Sequence, residues 1–162
     1  IGVAGLAVMG ENLVLNMAGK GFRVAVYNRT TAKVDAFLAG RAKGKTIEGF
    51  HTVGDFVAAL QRPRRVMMMV KAGEAVDQFI AQLLPHLEAG DIIIDGGNSN
   101  YKQSKRRAAE LAERGIHFVD SGTSGGVWGL ENGYSLMVGG SKDAIAIIKP
   151  ALEALAPSAN SG

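Results

Sequence analysis

A glycine-rich turn near the start of the chain has the residue types and spacing to hold a phosphate group. Its residues are Gly5, Leu6, Ala7, Val8, Met9 and Gly10. The first glycine permits a tight turn, the small Ala7 lets the backbone approach a pyrophosphate, and the last glycine lets a helix pack closely on a strand. N–H groups at the helix start then face the anion. The alternative is chance spacing in a chain with 22 glycines, but the strand–turn–helix context favours dinucleotide binding.

A second segment, Asn28, Arg29 and Thr30, follows the next apolar run, where the adenosine ribose of a dinucleotide should lie. An NAD site places Asp or Glu here to accept hydrogen bonds from the ribose hydroxyls. A carboxylate repels a 2′-phosphate, whereas the Arg29 guanidinium pairs with it through two N–H groups. The segment therefore predicts NADP in preference to NAD. The alternative is that Arg29 is a solvated surface residue and Thr30 a simple helix cap.

Strand-like apolar runs and amphipathic helix-length segments alternate along the chain, and they must position these residues. The predicted strands are Ile1–Ala4, Arg23–Tyr27, Val66–Val70, Ile92–Asp95, His117–Val119 and Ser135–Val138. The predicted helices are Met9–Lys20, Ala32–Leu38, Val53–Leu60, Ala75–Leu84, Tyr101–Arg114 and Ala144–Leu155. Short apolar strands crossed by helices indicate an α/β protein of Rossmann type, with a doubly wound, mainly parallel sheet and helices on both faces. We expect one domain over residues 1–162, with a linker after Leu155.

Local residue types predict where some of these helices begin and end. Thr52 with Asp55 predicts a capping box, and Asn100 predicts the N-cap of the fifth helix. Gly115 predicts the end of that helix. Its basic residues are predicted to form a solvated face; they are Lys102, Lys105, Arg106 and Arg107.

Composition excludes several classes of protein. A formal net charge of +3 over 162 residues is too small to indicate a nucleic-acid partner. The absence of cysteine excludes disulfides and thiolate metal sites, and it suits a cytoplasmic protein. No apolar run approaches the roughly 20 residues needed to span a bilayer. The three histidines, His51, His86 and His117, are not spaced as a metal site and are expected to be surface or packing residues.

Five strings occur in an order that resembles the 6-phosphogluconate dehydrogenases over essentially the whole chain. They are GLAVMG, YNRT, MMVKAG, DIIIDGGNS and TSGGVWGLENGYSLMVGG. The wider group, the β-hydroxyacid dehydrogenases, shares the glycine-rich turn and a serine-glycine-glycine loop. Within that group the aspartate-glycine-glycine-asparagine string favours the phosphogluconate enzymes. The resemblance implies oxidation of 6-phosphogluconate by NADP, followed by loss of carbon dioxide to give ribulose 5-phosphate in the pentose phosphate pathway.

The resemblance also implies roles for individual residues. Gly5 to Gly10 would hold the pyrophosphate, and Asn28, Arg29 and Thr30 the adenosine end. The remaining residues would line the cofactor (Val70, Lys71 and Ala72), touch both cofactor and substrate (Asn98), or hold the sugar acid (Ser124, Gly125 and Gly126). Lys71 and Asn98 follow the carboxyl ends of predicted strands, where open α/β sheets bind ligands. Both glycine pairs, Gly96-Gly97 and Gly125-Gly126, have structural turns as their alternative.

In this family the catalytic lysine and glutamate lie after the position where this chain ends, followed by an all-helical domain and a dimer interface. We therefore expect no catalytic residue in this chain, a homodimer in the full-length form, and coenzyme binding with little or no turnover by the chain alone. Val127 and Trp128 stand where the long-chain enzymes carry two glutamates, so the subfamily stays open. Two alternatives also stay open: another β-hydroxyacid dehydrogenase, such as 3-hydroxyisobutyrate dehydrogenase, and a non-catalytic NADP-binding module.

Overall fold

A seven-stranded sheet organises the computed structural model, which describes residues 1–97, 99–124 and 129–156. The strands are β1 (Gly2–Ala4), β2 (Val24–Tyr27), β3 (Ile47–Phe50), β4 (Arg65–Met68), β5 (Ile92–Asp95), β6 (His117–Ser124) and β7 (Ser135–Gly139). Their order across the sheet is β3-β2-β1-β4-β5-β6-β7. All described pairings are parallel except that of β6 with β7, which is antiparallel. The predicted Rossmann-type, mainly parallel sheet is confirmed.

Helices cover both faces of this sheet. They are α1 (Val8–Gly19), α2 (Thr31–Ala39), α3 (Val53–Ala58), α4 (Glu74–Leu83), α5 (Tyr101–Ala112), α6 (Gly129–Asn132) and α7 (Lys142–Leu155), with a 3-10 turn at Leu84–His86. Side chains of α1, α2 and α7 form one hydrophobic core, and those of α3, α4 and α5 form the other. On β5, Ile92 and Ile94 face the first core and Ile93 the second. Burial on both faces explains why the strands are almost continuously apolar.

The strand order places a ligand crevice at the carboxyl end of β1. This strand lies between β2 and β4, so the chain leaves it in one direction toward β2 and later returns on the other side. Helices on the two sides then diverge, and a crevice opens outside the carboxyl ends of β1 and β4. The predicted pyrophosphate turn follows β1 directly.

Strand β3 was missed by the sequence prediction. Its residues Ile47-Glu48-Gly49-Phe50 contain one charge and one glycine, so they carry a weak strand signal. The glycine is required by packing, because a Cβ at Gly49 would lie 2.5 Å from side-chain atoms of Val34 and Leu38 on α2. Helix α2 therefore packs directly against this edge strand.

Strand β6 is longer than predicted. It continues past Val119 to Ser124, and its polar second half pairs antiparallel with β7, from Asp120 opposite Gly139 to Ser124 opposite Ser135. The expected serine-glycine-glycine loop therefore begins at the last residue of a strand. Backbone pairing, which side-chain type does not reveal, holds this polar segment extended.

Both predicted N-cap residues, Thr52 and Asn100, are confirmed. The Thr52 side chain accepts a hydrogen bond from the Asp55 N–H, and the Asn100 side chain accepts one from Lys102. Gly115 has a φ of +72° just after α5, a conformation that glycine adopts without steric cost. None of the helices in the described ranges has the length and apolar character needed to cross a membrane.

Candidate functional site

Two glycines make the turn between β1 and α1 as tight as the sequence predicts. Gly5 has a φ of +100°, and a Cβ there would lie 2.3 Å from the Met69 carbonyl oxygen. A Cβ at Gly10 would lie 1.8 Å from the Gly5 carbonyl oxygen. Both distances are far inside van der Waals contact, so neither position accepts a side chain without moving backbone. The two glycines therefore allow the tight turn and the close packing of α1 on the sheet that the dinucleotide fingerprint requires.

The start of α1 presents backbone donors to this crevice. Ala7 is the N-cap of the helix, and alanine has no side-chain oxygen to satisfy the N–H groups of the first turn. Those N–H groups belong to Val8, Met9 and Gly10, and the Val8 side chain is 60% exposed. The Leu6 N–H is already used, because it donates to the Asn28 side-chain oxygen at 2.9 Å. Three donors in one turn, together with the helix dipole, form an anion site.

Asn28 joins the two segments that the sequence assigns to the dinucleotide. Its side-chain oxygen accepts from the Leu6 N–H in the glycine-rich turn, and its amide donates to the Thr30 carbonyl at 3.1 Å. The sequence predicted Asn28 as a cofactor residue, but this bridging contact was not foreseen. The asparagine fixes the turn and the end of β2 relative to each other.

The start of α2 is an exposed helix N-terminus with basic residues. Arg29 and Thr30 are exposed. Thr30 is the N-cap of α2, and within the described residues its side chain makes no capping hydrogen bond, so the alternative of a simple cap is not supported. Lys33, exposed on the first turn of α2, was missed by the sequence reading. Its spacing of three residues after Thr30 was the available signal, since that spacing places both on one side of a helix turn.

The loop after β4 forms the opposite wall of the crevice. Hydrogen bonds extend the ladder of β1 and β4 into it, because the Met69 N–H donates to the Ala4 carbonyl at 2.7 Å. Val70 is half-buried, whereas Lys71 and Ala72 are exposed at the mouth. Gly73 ends the loop with a φ of +103° and is the N-cap of α4. The structure thus brings the predicted residues 70–72 to the same sheet edge as the glycine-rich turn.

The loop after β5 folds around a buried carboxylate. Asp95 is fully buried, and it accepts hydrogen bonds from the Gly97 N–H at 3.0 Å and from the Ser99 hydroxyl. Gly97 packs against the loop after β4, since a Cβ there would lie 3.1 Å from the Val70 carbonyl oxygen. The predicted ligand residue between them, Asn98, lies outside the described residues. The backbone on both sides of it is held at the crevice.

The predicted substrate residues can be placed only in part. Ser124 ends β6 at the same edge of the sheet as the other predicted residues. Gly125 and Gly126, together with Val127 and Trp128, lie outside the described residues. The substrate assignments therefore remain predictions from the resemblance.

Arg107 on α5 corrects the prediction of a wholly solvated basic face. Its side chain is only 1% exposed, whereas Lys102, Lys105 and Arg106 are exposed or half-buried. The Arg107 Nε donates to Asp77 at 2.8 Å, and Nη2 donates to Asp77 and to the Gly73 carbonyl, each at 3.1 Å. The hydrogen bond from Arg107, with a further one from Arg106, holds the pKa of Asp77 below its usual range.

Asp120 is the other perturbed carboxyl group near the site. It lies beside Asp95 across the β5–β6 ladder. Burial raises the pKa of Asp120, and the negative charge of Asp95 raises it further, while the Ser104 hydroxyl and the charge of Arg107 oppose both. The folded protein therefore binds a proton at Asp120 more tightly than the unfolded chain does. The unfolded chain has the usual aspartate pKa of about 4. As the pH rises from there through the higher pKa of the folded state, ionisation of Asp120 lowers the free energy of unfolding.

Replacing Asp120 with the uncharged isostere, D120N, is expected to stabilise the chain at neutral pH. We expect a melting temperature at pH 7 higher by about 2–4 °C, which for a domain of this size corresponds to roughly 1 kcal/mol. The gain should shrink as the pH falls toward 4, where the wild-type carboxyl group becomes protonated. Thermal melts of both proteins between pH 4 and pH 8 measure this. An equal difference at every pH would contradict the raised pKa.

His51 and His117 each have a side-chain partner of their own. His51 pairs with Asp35 at 2.7 Å, and the His117 ring contacts the Ser141 hydroxyl. Within the described ranges, no group of three His, Asp or Glu residues could hold a metal ion. The chemistry of the crevice is therefore set by backbone N–H groups, glycines and the cationic residues at the start of α2.

A family model described as the NAD binding domain of 6-phosphogluconate dehydrogenase matches residues 1–162. Among curated proteins, the chain is 56% identical to the decarboxylating 6-phosphogluconate dehydrogenase of Haemophilus influenzae over 162 residues, which is all of this chain and 34% of that protein. It is 54% identical to the NADP(+)-dependent, decarboxylating enzyme of Bacillus subtilis over 155 residues, which is 96% of this chain and 33% of that enzyme. The chain thus spans about a third of the length of these relatives.

Solved structures agree with this result. The 6-phosphogluconate dehydrogenase of Plasmodium falciparum, studied in its apo form, with NADP+ and with 6-phosphogluconate, matches with a TM-score of 0.92 and 41% identity. The match covers all of this chain and 35% of that one. The 3-hydroxyisobutyrate dehydrogenase of Mycobacterium tuberculosis matches with a TM-score of 0.82 and 23% identity, covering 96% of this chain and 51% of that one. The second likeness shows the shared fold alone.

Proposed function

The chain belongs to the family of NAD binding domains of 6-phosphogluconate dehydrogenase, and on that premise we propose that residues 1–162 form the coenzyme-binding domain of an NADP-dependent, decarboxylating 6-phosphogluconate dehydrogenase. The observation that carries the proposal is the tight glycine turn between β1 and α1. There, Cβ atoms at Gly5 and Gly10 would overlap backbone oxygens, and the helix start offers donors to an anion.

NADP is the coenzyme that the start of α2 fits. Residues 28–33 contain no carboxylate, and they include Arg29 and Lys33, both exposed at one helix start. The 2′-phosphate carries up to two negative charges, so it gains from a guanidinium, an ammonium and the helix dipole together. NAD has only hydroxyl groups at this position and lacks these interactions. The Bacillus subtilis relative is an NADP(+)-dependent enzyme, which supports the same choice.

The chain's own residues bind and orient the two reactants. The α1 start holds the pyrophosphate, the α2 start holds the adenosine end, and the loop with Val70, Lys71 and Ala72 lies along the nicotinamide half. When bound, NADP accepts the two electrons and one hydrogen that leave the C3 carbon of the sugar acid. By the family resemblance, Asn98 and Ser124, with Gly125 and Gly126, would present polar groups to the hydroxyls and carboxylate of the substrate. Fixing both reactants at one sheet edge lowers the entropic part of the barrier.

The reaction also needs a proton acceptor within hydrogen-bond reach of the reacting hydroxyl. This chain spans about a third of the length of its relatives. In the proposal, the proton acceptor comes from the remaining two thirds. A cytoplasmic location and a homodimeric full-length protein belong to the same proposal. They are supported by the family relationship.

Coenzyme reduction by two proteins tests the proposed substrate. The full-length protein should form NADPH with 6-phosphogluconate and release carbon dioxide, and it should do so far faster than with 3-hydroxyisobutyrate. The 162-residue chain should bind NADP but form little or no NADPH. Faster reduction with 3-hydroxyisobutyrate would assign the chain to another β-hydroxyacid dehydrogenase. Binding without turnover of either substrate by the full-length protein would favour a non-catalytic module.

A further inference from the structure

Two arginine–aspartate pairs, each with a largely buried arginine, lie at opposite edges of the sheet, and they differ in their further contacts. Arg64 and Asp91, 12% and 2% exposed, precede β4 and β5 at the amino edge. There Asp91 also accepts from the backbone N–H groups of Arg64 and Glu88. Arg107 and Asp77 join α5 to α4 near the carboxyl edge. Only this second pair contacts a loop that faces the crevice.

The contact is between Arg107 and Gly73. The Nη2 group donates to the Gly73 carbonyl at 3.1 Å, and the Val76 N–H donates to the same oxygen at 3.2 Å. Gly73 has a φ of +103° and a ψ of −138°, a combination open essentially to glycine alone. Gly73 directly follows Lys71 and Ala72, so its backbone conformation limits where these two residues can lie. Its carbonyl is tied to a side chain that is itself buried.

Asp77 fixes the orientation of the Arg107 guanidinium, so that its hydrogen bond can hold the Gly73 carbonyl in place. Two of its nitrogens engage both carboxylate oxygens of Asp77, and this forked arrangement fixes the plane of the group. Asp95 at the end of β5 adds its negative charge: after the hydrogen bond and charge of Asp77, it helps to raise the pKa of Arg107. Asp95 in turn holds the backbone at Gly97 and Ser99. One buried cation therefore lies among the groups that support both loops.

We propose that Arg107 is a positioning residue that holds the Val70–Gly73 loop in the conformation that receives the coenzyme, through its hydrogen bond to the Gly73 carbonyl. The inference rests on the proposed function, since that function assigns residues 70–72 to the coenzyme. Because Arg107 already orders the loop in the free protein, coenzyme binding does not have to order it. Loss of this contact should therefore weaken binding as well as stability. The Arg64–Asp91 pair, which lies at the far edge, should contribute to stability alone.

Matched substitutions R107K and R64K test this proposal in the 162-residue chain. Lysine keeps the charge but lacks the fork, so it cannot hold Asp77 and Gly73 together. At a temperature where both variants are folded, calorimetry should give a dissociation constant for NADP raised about tenfold in R107K and changed less than twofold in R64K. Amide hydrogen exchange in the free protein should accelerate at residues 71–76 in R107K and not in R64K. Equal binding by R107K and wild type, or equal weakening in both variants, would overturn the proposal.

A second variant covers the possibility that R107K does not fold. Asp77 is 38% exposed, so D77N removes one charge from a partly solvated position while leaving the Gly73 carbonyl bond in place. Loss of the fork should loosen the guanidinium and raise the dissociation constant about two- to fourfold, in the same direction as R107K. Unchanged binding and unchanged exchange in D77N would overturn the proposal. Failure of the wild-type chain to bind NADP would instead overturn the proposed function, so the two failures are distinguishable.

Discussion

Replacing Gly10 with alanine is expected to destabilise the chain by about 3 kcal/mol and to abolish tight coenzyme binding. The new Cβ would lie 1.8 Å from the Gly5 carbonyl oxygen. The backbone fixes the positions of both atoms, so no side-chain rotation can relieve this overlap. Helix α1 must therefore shift away from β1. That shift displaces the N–H groups that face the pyrophosphate, and it opens the packing of α1 on Met69. Thermal melts and calorimetry with NADP on G10A measure both losses, and we expect the melting temperature to fall by about 6–12 °C.

Gly19 supplies the control in the same helix. It is the last residue of α1, and among the described residues nothing lies within 4 Å of a Cβ built there. Alanine has the higher helix propensity, so G19A should be neutral or slightly stabilising, with coenzyme affinity unchanged. A G10A variant that melts with wild-type stability and binds NADP normally would show that the helix does not approach the turn as closely as described.

The substitution R29A is expected to weaken NADP binding about 30-fold and to leave NAD binding within a factor of two. A charge-assisted hydrogen bond to a phosphate contributes about 1.5–3 kcal/mol, which corresponds to roughly one to two powers of ten in affinity. Arg29 is exposed and follows β2 beside the uncapped start of α2. It gains this energy only when a 2′-phosphate is present. Titrations of wild type and R29A with both coenzymes, at two salt concentrations, measure the effect.

Arg23 at the other end of β2 provides the matched control. Its side chain is 82% exposed and pairs with Glu48, so R23A removes the same charge from the same strand at the edge away from the crevice. We expect R23A to change the affinities for both coenzymes by less than twofold. Equal effects of R23A and R29A on NADP would mean that net charge, and not a local contact, sets the preference.

The strongest sequence signals concerned positions where backbone geometry leaves no choice of residue. The glycines of the first turn predicted its tight geometry because only glycine fits at Gly5 and Gly10. The apolar runs predicted six of the seven strands, and the signal was clearest in strands such as β5 that are buried on both faces. Strand β3 and the second half of β6 were missed, since an edge strand with Gly49 and a polar strand held by pairing with β7 carry weak signals.

The parts of the site that escaped prediction depend on contacts between residues distant in sequence. Asn28 reaches back 22 residues to Leu6, and Arg107 reaches back 34 residues to Gly73. No periodicity distinguishes Arg107 from Arg106, its exposed neighbour. Burial of that single guanidinium is decided by Asp77 on another helix. Long-range polar pairs of this kind become visible only when the elements are packed together.

Calorimetric titration of the unmodified chain with NADP and with NAD tests the central claim most directly. The account predicts saturable heat of binding with NADP at one site per chain, and affinity for NAD that is lower by at least an order of magnitude. Heat of binding with neither nucleotide would contradict the anion sites at α1 and α2, and the proposed dehydrogenase function would fall with them.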